Sequence, residues 1–287
     1  MQNSIAMNNS SLSHELTIMV NTCDAYSDVL EIFFHALNNY WPNCPYPVVI
    51  NTETKTYNYP ARVHHYRSAT GLDDWGDRMR STLESIDSQF VLMVYDDFIL
   101  DASVSNERVK AALQMLKSQA QVVVTYLIHT SIPLERQKLD SVFIPLRDKV
   151  NYRLNSSPAI WKKKALMSYT FAGDTPWAWE AFGTYRTWGD GNIFYTLNPT
   201  EADIYPYNYS KGGAIYRGKW VKEVVENLPK NYPLQIDWGV RGFSSDIAYE
   251  KRSWVWKWKF MQIGFRMVGY KAIYFVTSYI RDKLYAR

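Results

Sequence analysis

The sequence predicts an α/β protein in which a sheet is flanked by helices. Its opening predicts this first: an apolar run, a helix-periodic segment and a second apolar run succeed one another between Leu16 and Ile50, a βαβ pattern. Two further β-rich runs then alternate with amphipathic segments. The chain has 287 residues, 47% hydrophobic and 21% charged, which suffices for a sizeable core and excludes a disordered tail, a collagen-like fibre or a disulfide scaffold.

The elements follow in order. Leu16–Val20 reads as a short buried strand, and Asp28–Tyr40 as a helix with Val29, Ile32, Phe33, Ala36 and Leu37 on one face. Trp41-Pro42 ends that helix. Pro47–Ile50 is the second strand, running into the polar loop Asn51–Tyr59. A helix over Asp77–Ser88 leads into Phe90–Tyr95, an apolar run bounded by acids that suits a central parallel strand. Asn106–Ser118 is a third helix and Gln121–Tyr126 a further strand. The second half is irregular, with strand-like pieces near Tyr152–Leu154 and Ala214–Tyr216 and short helices over Lys162–Tyr169 and Lys219–Leu228.

Residues 1–14 form a polar leader without the basic start and apolar core of a secretory signal, and the two cysteines, Cys23 and Cys44, have no metal-ligand spacing. A cytoplasmic protein is expected. No uncharged apolar run is long enough to span a bilayer, since Phe260–Ile280 is broken by Arg266 and Lys271. The net charge of +4 is uneven: residues 251–287 hold nine basic residues and one acid, so the remainder is net −4. A basic end on an acidic body points to a local anionic partner and against general nucleic-acid binding.

Asp96-Asp97 follows an apolar strand directly, which places two carboxylates outside its carboxyl end, where α/β folds bind ligands. Two such oxygen donors suit Mg2+ or Mn2+ and, through it, a diphosphate. The alternative is an ordinary turn.

The stretch Trp75-Gly76-Asp77-Arg78…Leu83…Ile86…Phe90–Tyr95-Asp96-Asp97 resembles the donor-site core of GT-A-type glycosyltransferases, where a helix, a hydrophobic strand and a DxD-like motif present a nucleotide-sugar and its metal. The resemblance covers roughly residues 15–245, by order of elements more than by identity. It implies a GT-A-like (Rossmann-like) mixed sheet flanked by helices, with a nucleotide-sugar half over 15–130, an irregular acceptor half over 131–250 and a C-terminal amphipathic helix over 251–287. Asn21-Thr22-Cys23-Asp24 resembles the nucleotide-binding start and Asn51-Thr52-Glu53 the second base-contacting loop, so Asn21, Thr22, Asp24, Glu53 and Arg78 are expected at the donor. By position Asp97 would be the metal ligand and Asp96 the ribose or sugar contact. The motif is incomplete, because Tyr95 stands where a full DxD has its first acid, and metal-independent members of the fold exist.

Thr175-Pro176-Trp177-Ala178-Trp179-Glu180 is the second informative patch. Inverting sugar transfer needs a carboxylate that takes the proton of the attacking hydroxyl, and tryptophans desolvate such a carboxylate and raise its pKa. Glu180 fits, and the patch resembles the acceptor loop of inverting GT-A enzymes of bacterial surface-polysaccharide pathways. Alternatively Glu180 pairs locally with Arg186 and the tryptophans are core; Asp174 is the reserve base. Arg217, Lys219 and Arg241 are candidate contacts to the departing diphosphate, against the alternative of solvated surface charge. His14, His35, His64, His65 and His129 show no ligand spacing and read as structural.

From Trp254 a stripe runs through Trp258, Met261, Phe265, Val268, Ala272, Phe275 and Tyr279 on one face of a helix. Lys259 and Arg266 lie on its far side, and Lys257 and Lys271 at a flank. Such a helix suits the plane of an anionic membrane surface; a packed helix or a dimer seam are the alternatives. Together these features predict a peripheral membrane glycosyltransferase that takes a nucleotide-sugar donor and a lipid-linked glycan acceptor. The competing readings are a non-catalytic carbohydrate- or membrane-binding adaptor and a nucleotidyltransferase, though the latter's glycine-rich basic phosphate loop is not found in Asn21–Tyr26.

Overall fold

Strand β1 (Leu16–Asn21) is buried along its whole length because both its faces are covered. Leu16, Ile18 and Val20 point into one core layer and Met19 into the other, the two-residue alternation of a pleated strand. The computed structural model describes residues 15–55, 57, 63–67, 74–134, 141–229, 238–244 and 253–278. The expected polar leader, the end of the Asn51–Tyr59 loop, Asp237 and Tyr279 lie outside the described residues.

Beyond β1 come α1 (Ser27–Tyr40), β2 (Val48–Thr52), β3 (Val63–Arg67), α2 (Trp75–Ser85), β4 (Phe90–Tyr95), α3 (Asn106–Ser118) and β5 (Val122–Tyr126). Asp74 caps α2 by accepting from the Gly76 N–H at 2.8 Å, and Ser105 caps α3. The second half adds β6 (Phe143–Pro145), β7 (Ala159–Lys162), α4 (Lys163–Tyr169), α5 (Pro176–Ala181), β8 (Ile193–Leu197) and a small antiparallel pair, β9 (Ile215–Tyr216) with β10 (Lys219–Trp220). Short helices α6 (Lys222–Val225) and α7 (Trp238–Arg241) precede α8 (Trp254–Val268).

Among the described residues eight strands form one mixed sheet in the order β3-β2-β1-β4-β7-β5-β8-β6. Strands β1 to β4 are mutually parallel where they pair, and β5 pairs parallel with β8. Strand β7 lies antiparallel between β4 and β5, with Ala159 opposite both Met93 and Tyr126. The chain therefore enters β7 at the edge where β4 and β5 end. Helices α1 and α3 cover one face; α2, α4 and α5 cover the other.

The alternation of apolar runs and amphipathic helices in the first half is realised, with β4 and α3 at the expected bounds. Strand β4 is central but parallel to only one neighbour, since β7 intervenes. The second half departs from expectation. Tyr152–Leu154 is a turn pinned by the buried Arg153, whose guanidinium donates to the Thr187 carbonyl at 2.7 Å, and the strand lies instead at Ala159–Lys162. The helix expected over Lys219–Leu228 begins as β10 and is helical only at Lys222–Val225.

The C-terminal stripe also divides. Helix α8 stops at Gly269, whose φ of 59° leaves the helical region, and a 3-10 turn, Gly269–Ala272, follows. Met261, Val268, Ala272 and Phe275 pack on Ala178, Ala181, Phe182 and Tyr185 of and just after α5. Gly264 is needed there, because a Cβ would lie 2.5 Å from the Phe182 ring. Trp254, Trp258 and Phe265 face outward, 84%, 68% and 47% exposed. The helix is thus packed on one side and apolar on its exposed side. Among the described residues no helix is long and apolar enough to cross a membrane.

Candidate functional site

Parallel strands β1, β2 and β4 end side by side, and the loops beyond them open onto one cleft of about 880 Å3. Asn21, Thr22, Glu53, Arg78, Asp96, Asp97, Glu180 and Arg217, all singled out from sequence, line it. The antiparallel entry into β7 brings Asn155 and Ser156 to the same edge, and α5 delivers Glu180 from the second half.

The donor-side wall is tightly held. The Asn21 side chain donates to the Val94 carbonyl at 3.1 Å and accepts from Asn51 at 2.8 Å, locking the ends of β1, β2 and β4 together. Thr22 donates its hydroxyl to Asp96 at 2.5 Å, and the Asp96 N–H donates to the Asn21 carbonyl at 3.1 Å. Arg78, reaching in from α2, pairs with Glu53 at 3.2 Å, and the second Glu53 oxygen accepts from the Asp24 N–H at 2.8 Å.

Asp96 is buried and Asp97 half-buried. Burial pushes the Asp97 carboxyl up to about 7; burial and then the neighbouring Asp97 charge hold Asp96 well above the carboxylate range. Among the described residues neither forms an ion pair; the Arg241 guanidinium, held by Asp28, acts on Asp96 only as a more distant charge that favours its ionised form. Two adjacent carboxylates are hard oxygen donors of the kind that would suit a divalent cation such as Mg2+ or Mn2+. Among the described residues no group of three or more His, Cys, Asp or Glu adds further protein ligands.

The loop before β9 folds over this pair. Ala214 N–H donates to the Asp97 carbonyl at 2.8 Å, and Gly213 passes so close that a Cβ would lie 2.5 Å from Asp97 Oδ2. Lys211, on this loop, and Arg217, on the turn between β9 and β10, reach the cleft wall. Lys211 was not singled out from sequence, although it lies only a few residues before the strand-like piece at Ala214–Tyr216.

Across the cleft, Glu180 Oε1 accepts from the Ser156 N–H at 2.7 Å and from the Ser156 hydroxyl. Burial raises the Glu180 pKa, and these two hydrogen bonds hold it partly down. Glu180 does not pair with Arg186. That guanidinium instead grips Asp174 with both nitrogens, at 2.5 and 2.8 Å, and Asp174 is 1% exposed, so the reserve base is consumed in a buried ion pair. The tryptophans of the patch separate: Trp179 is fully buried against Trp75 and Trp161, whereas Trp177 is 55% exposed in the cleft. Ser156 carries no sequence signal, because only the register of β7 brings it to Glu180.

Three candidates stand outside the lining. The Asp24 carboxylate is taken up by the Thr54 and Lys55 N–H groups, at 3.1 and 3.0 Å, and clasps the loop after β2. Arg241 is held by both oxygens of Asp28 and lies over Tyr26, 4.8 Å from the ring centroid. Lys219 lies on β10 near Gly242, and not on the cleft wall.

Comparison of the sequence with known protein families gives no match, and comparison with curated proteins gives none. The fold is similar to solved structures. Residues 1–349 of S. aureus TarS are 15% identical, with a TM-score of 0.46 over 66% of this chain and 59% of that one. The mannosyltransferase PcManGT from Pyrobaculum calidifontis, solved with GDP-Man and Mn2+, is 11% identical, with a TM-score of 0.43 over 66% and 55%. A cytidylyltransferase from Leptospira borgpetersenii is 11% identical, with a TM-score of 0.39 over 70% and 80%. The chain thus spans less than two thirds of the TarS and PcManGT structures. These likenesses concern fold and carry no argument about activity.

Proposed function

We propose that the chain is a nucleotide-sugar-dependent glycosyltransferase acting on a lipid-linked glycan, with inversion, in surface-polysaccharide assembly at the inner face of a cell membrane. One observation carries the reading: one cleft at the carboxyl ends of the parallel strands is lined by two adjacent acids that form no ion pair among the described residues and by a half-buried glutamate. Donor chemistry and base chemistry need to meet in one place, and here elements far apart in sequence converge to that end.

In this reading the nucleoside lies along Asn21, Thr22, Glu53 and Arg78. Asp97 with Asp96 would hold a divalent cation that offsets diphosphate charge when bound. Arg217 and Lys211 receive the departing diphosphate, in place of Lys219 and Arg241. Glu180, its ionised form supported by Ser156, takes the proton of the acceptor hydroxyl. The outward Trp254, Trp258 and Phe265, with Lys257, Lys259 and Arg266 on the same exposed helix, support attachment to an anionic membrane surface.

A thermal-shift screen over UDP-, GDP-, dTDP- and CMP-sugars, with and without Mn2+, tests the reading. Selective stabilisation by one nucleotide-sugar, strengthened by the ion, is the expected result. No response to any nucleotide-sugar would sink the transferase and leave the adaptor.

A further inference from the structure

Charge is segregated along the cleft. The lysine and arginines of its described lining, Arg78, Lys211 and Arg217, belong to the donor wall, to the loop over Asp97 and to the turn between β9 and β10. The lining on the side of Glu180 includes Tyr152, Asn155, Ser156, Ser157, Pro176 and Trp177, none of them charged, and His129, which faces Asp203 at 3.6 Å. An acceptor bearing phosphate would find no lysine or arginine there among the described residues, whereas a neutral hydroxylated ring would meet amide, hydroxyl and aromatic groups.

Two of those groups are large rings left open to solvent. Trp177 is 55% exposed and stands one turn before Glu180 on α5, on the same helical face. Its position is set by Pro176 at the helix start and by the Thr175 cap, whose oxygen accepts from the Ala178 N–H at 3.3 Å. Tyr152 is 45% exposed, and burial together with the Glu180 charge pushes its phenol up, which places it within the field of that carboxylate.

Tyr152 also holds a φ of 57°, a conformation that glycine adopts at less cost. The turn is imposed from outside: Arg153 is anchored to the Thr187 and Asn192 carbonyls, Tyr126 donates its hydroxyl to the Arg153 carbonyl at 2.8 Å, and Asn155 donates to the Tyr152 carbonyl at 3.1 Å. A bulky residue kept in a strained backbone, with its ring in the cleft and not in the core, is the kind of outlier that marks a binding surface.

We propose that Trp177 and Tyr152 form the acceptor subsite and seat the uncharged terminal pyranose of a glycan, stacking on its apolar face while one hydroxyl meets Glu180. The assignment rests on the transferase reading for the role of Glu180, but the sugar contact itself does not.

Saturation-transfer NMR on the full chain tests it, with methyl β-D-glucopyranoside, methyl β-D-galactopyranoside and methyl N-acetyl-β-D-glucosaminide as probes and sn-glycerol 3-phosphate as the charged control. At least one glycoside binds, glycoside affinity is about tenfold weaker in Trp177→Ala and in Tyr152→Ala, and any glycerol phosphate binding, seated on the basic donor wall, is the same in wild type and in both variants. Tyr152→Gly separates contact from folding: it relieves the backbone, keeps or raises the thermal midpoint, and still loses the sugar. Absence of any glycoside signal, glycoside affinity unchanged in either single variant, or glycerol phosphate binding that weakens in both would overturn the subsite. The nucleotide-sugar thermal shift is read in parallel. A donor response without ring-dependent glycoside binding removes only the subsite, whereas ring-dependent glycoside binding without any donor response removes only the transferase.

Discussion

Ser156→Ala deletes one of the two hydrogen bonds to Glu180 Oε1 and leaves the other, the 2.7 Å bond from the Ser156 N–H. Burial already raises the Glu180 pKa, and the hydroxyl counters that rise by stabilising the charged form. A hydrogen bond to a charged group is worth about 1.5–3 kcal/mol, and about 1.4 kcal/mol changes the ionised fraction tenfold. Because Glu180 is only half-buried, the lower end of that range applies. On the acid limb of the pH profile, where little carboxylate is ionised, kcat/KM therefore falls about tenfold. The loss disappears as pH rises, since a base of raised pKa is ionised in both proteins once the medium is alkaline enough. The assay is kcat/KM against pH for wild type, Ser156→Ala and Ser156→Thr, the last retaining a hydroxyl donor. A uniform loss at every pH would mean that the hydroxyl only shapes the turn, and a limb that stays in place would remove the coupling to Glu180.

Three further outcomes are expected. Glu180→Gln abolishes transfer yet keeps nucleotide-sugar binding; since burial disfavours the ionised form, the contribution of this group to folding is greatest below the unfolded carboxylate pKa and is lost as pH rises through the folded one, so the neutral amide raises the thermal midpoint at neutral pH. Retained turnover, or a lowered midpoint, contradicts that assignment. Gly213→Ala puts a methyl 2.5 Å from Asp97 Oδ2 and 3.0 Å from its carbonyl oxygen, so the loop before β9, which carries Lys211, must shift; donor affinity measured by calorimetry falls about tenfold, and an unchanged affinity would show that this loop does not touch the donor. Trp254→Ser combined with Trp258→Ser and Phe265→Ser abolishes co-sedimentation with phosphatidylglycerol vesicles without lowering the thermal midpoint, because these side chains face outward; equal sedimentation of variant and wild type would refute membrane docking. Deleting residues 251–287 is a poorer test, because it also uncovers the Phe182 and Tyr185 rings beneath α8.

The one-dimensional pattern sufficed where structure is local. Apolar alternation and helical spacing determine β1, α1, β4 and α3, and the acids that terminate β4 have nowhere to go but the carboxyl edge of the sheet. Glu180 was legible too, through the proline and tryptophans that start its helix. Other features depend on which distant segments meet. The insertion of β7 antiparallel between β4 and β5 is a choice of partner strand, which no local period encodes, and it alone brings Ser156 to Glu180. The competition of Asp174 and Glu180 for Arg186 was decided by the fold, as was the capture of Arg241 by Asp28 across more than two hundred residues. Helix α8 shows the same limit in one element: it carries apolar residues beyond the single stripe read from its sequence, Phe260, Ile263 and Met267 among them, and only packing against Phe182 selects which are buried and which are left for water or a membrane. Periodicity states that a side chain is able to be buried, while burial itself requires a partner surface, and that surface exists only once the chain has folded.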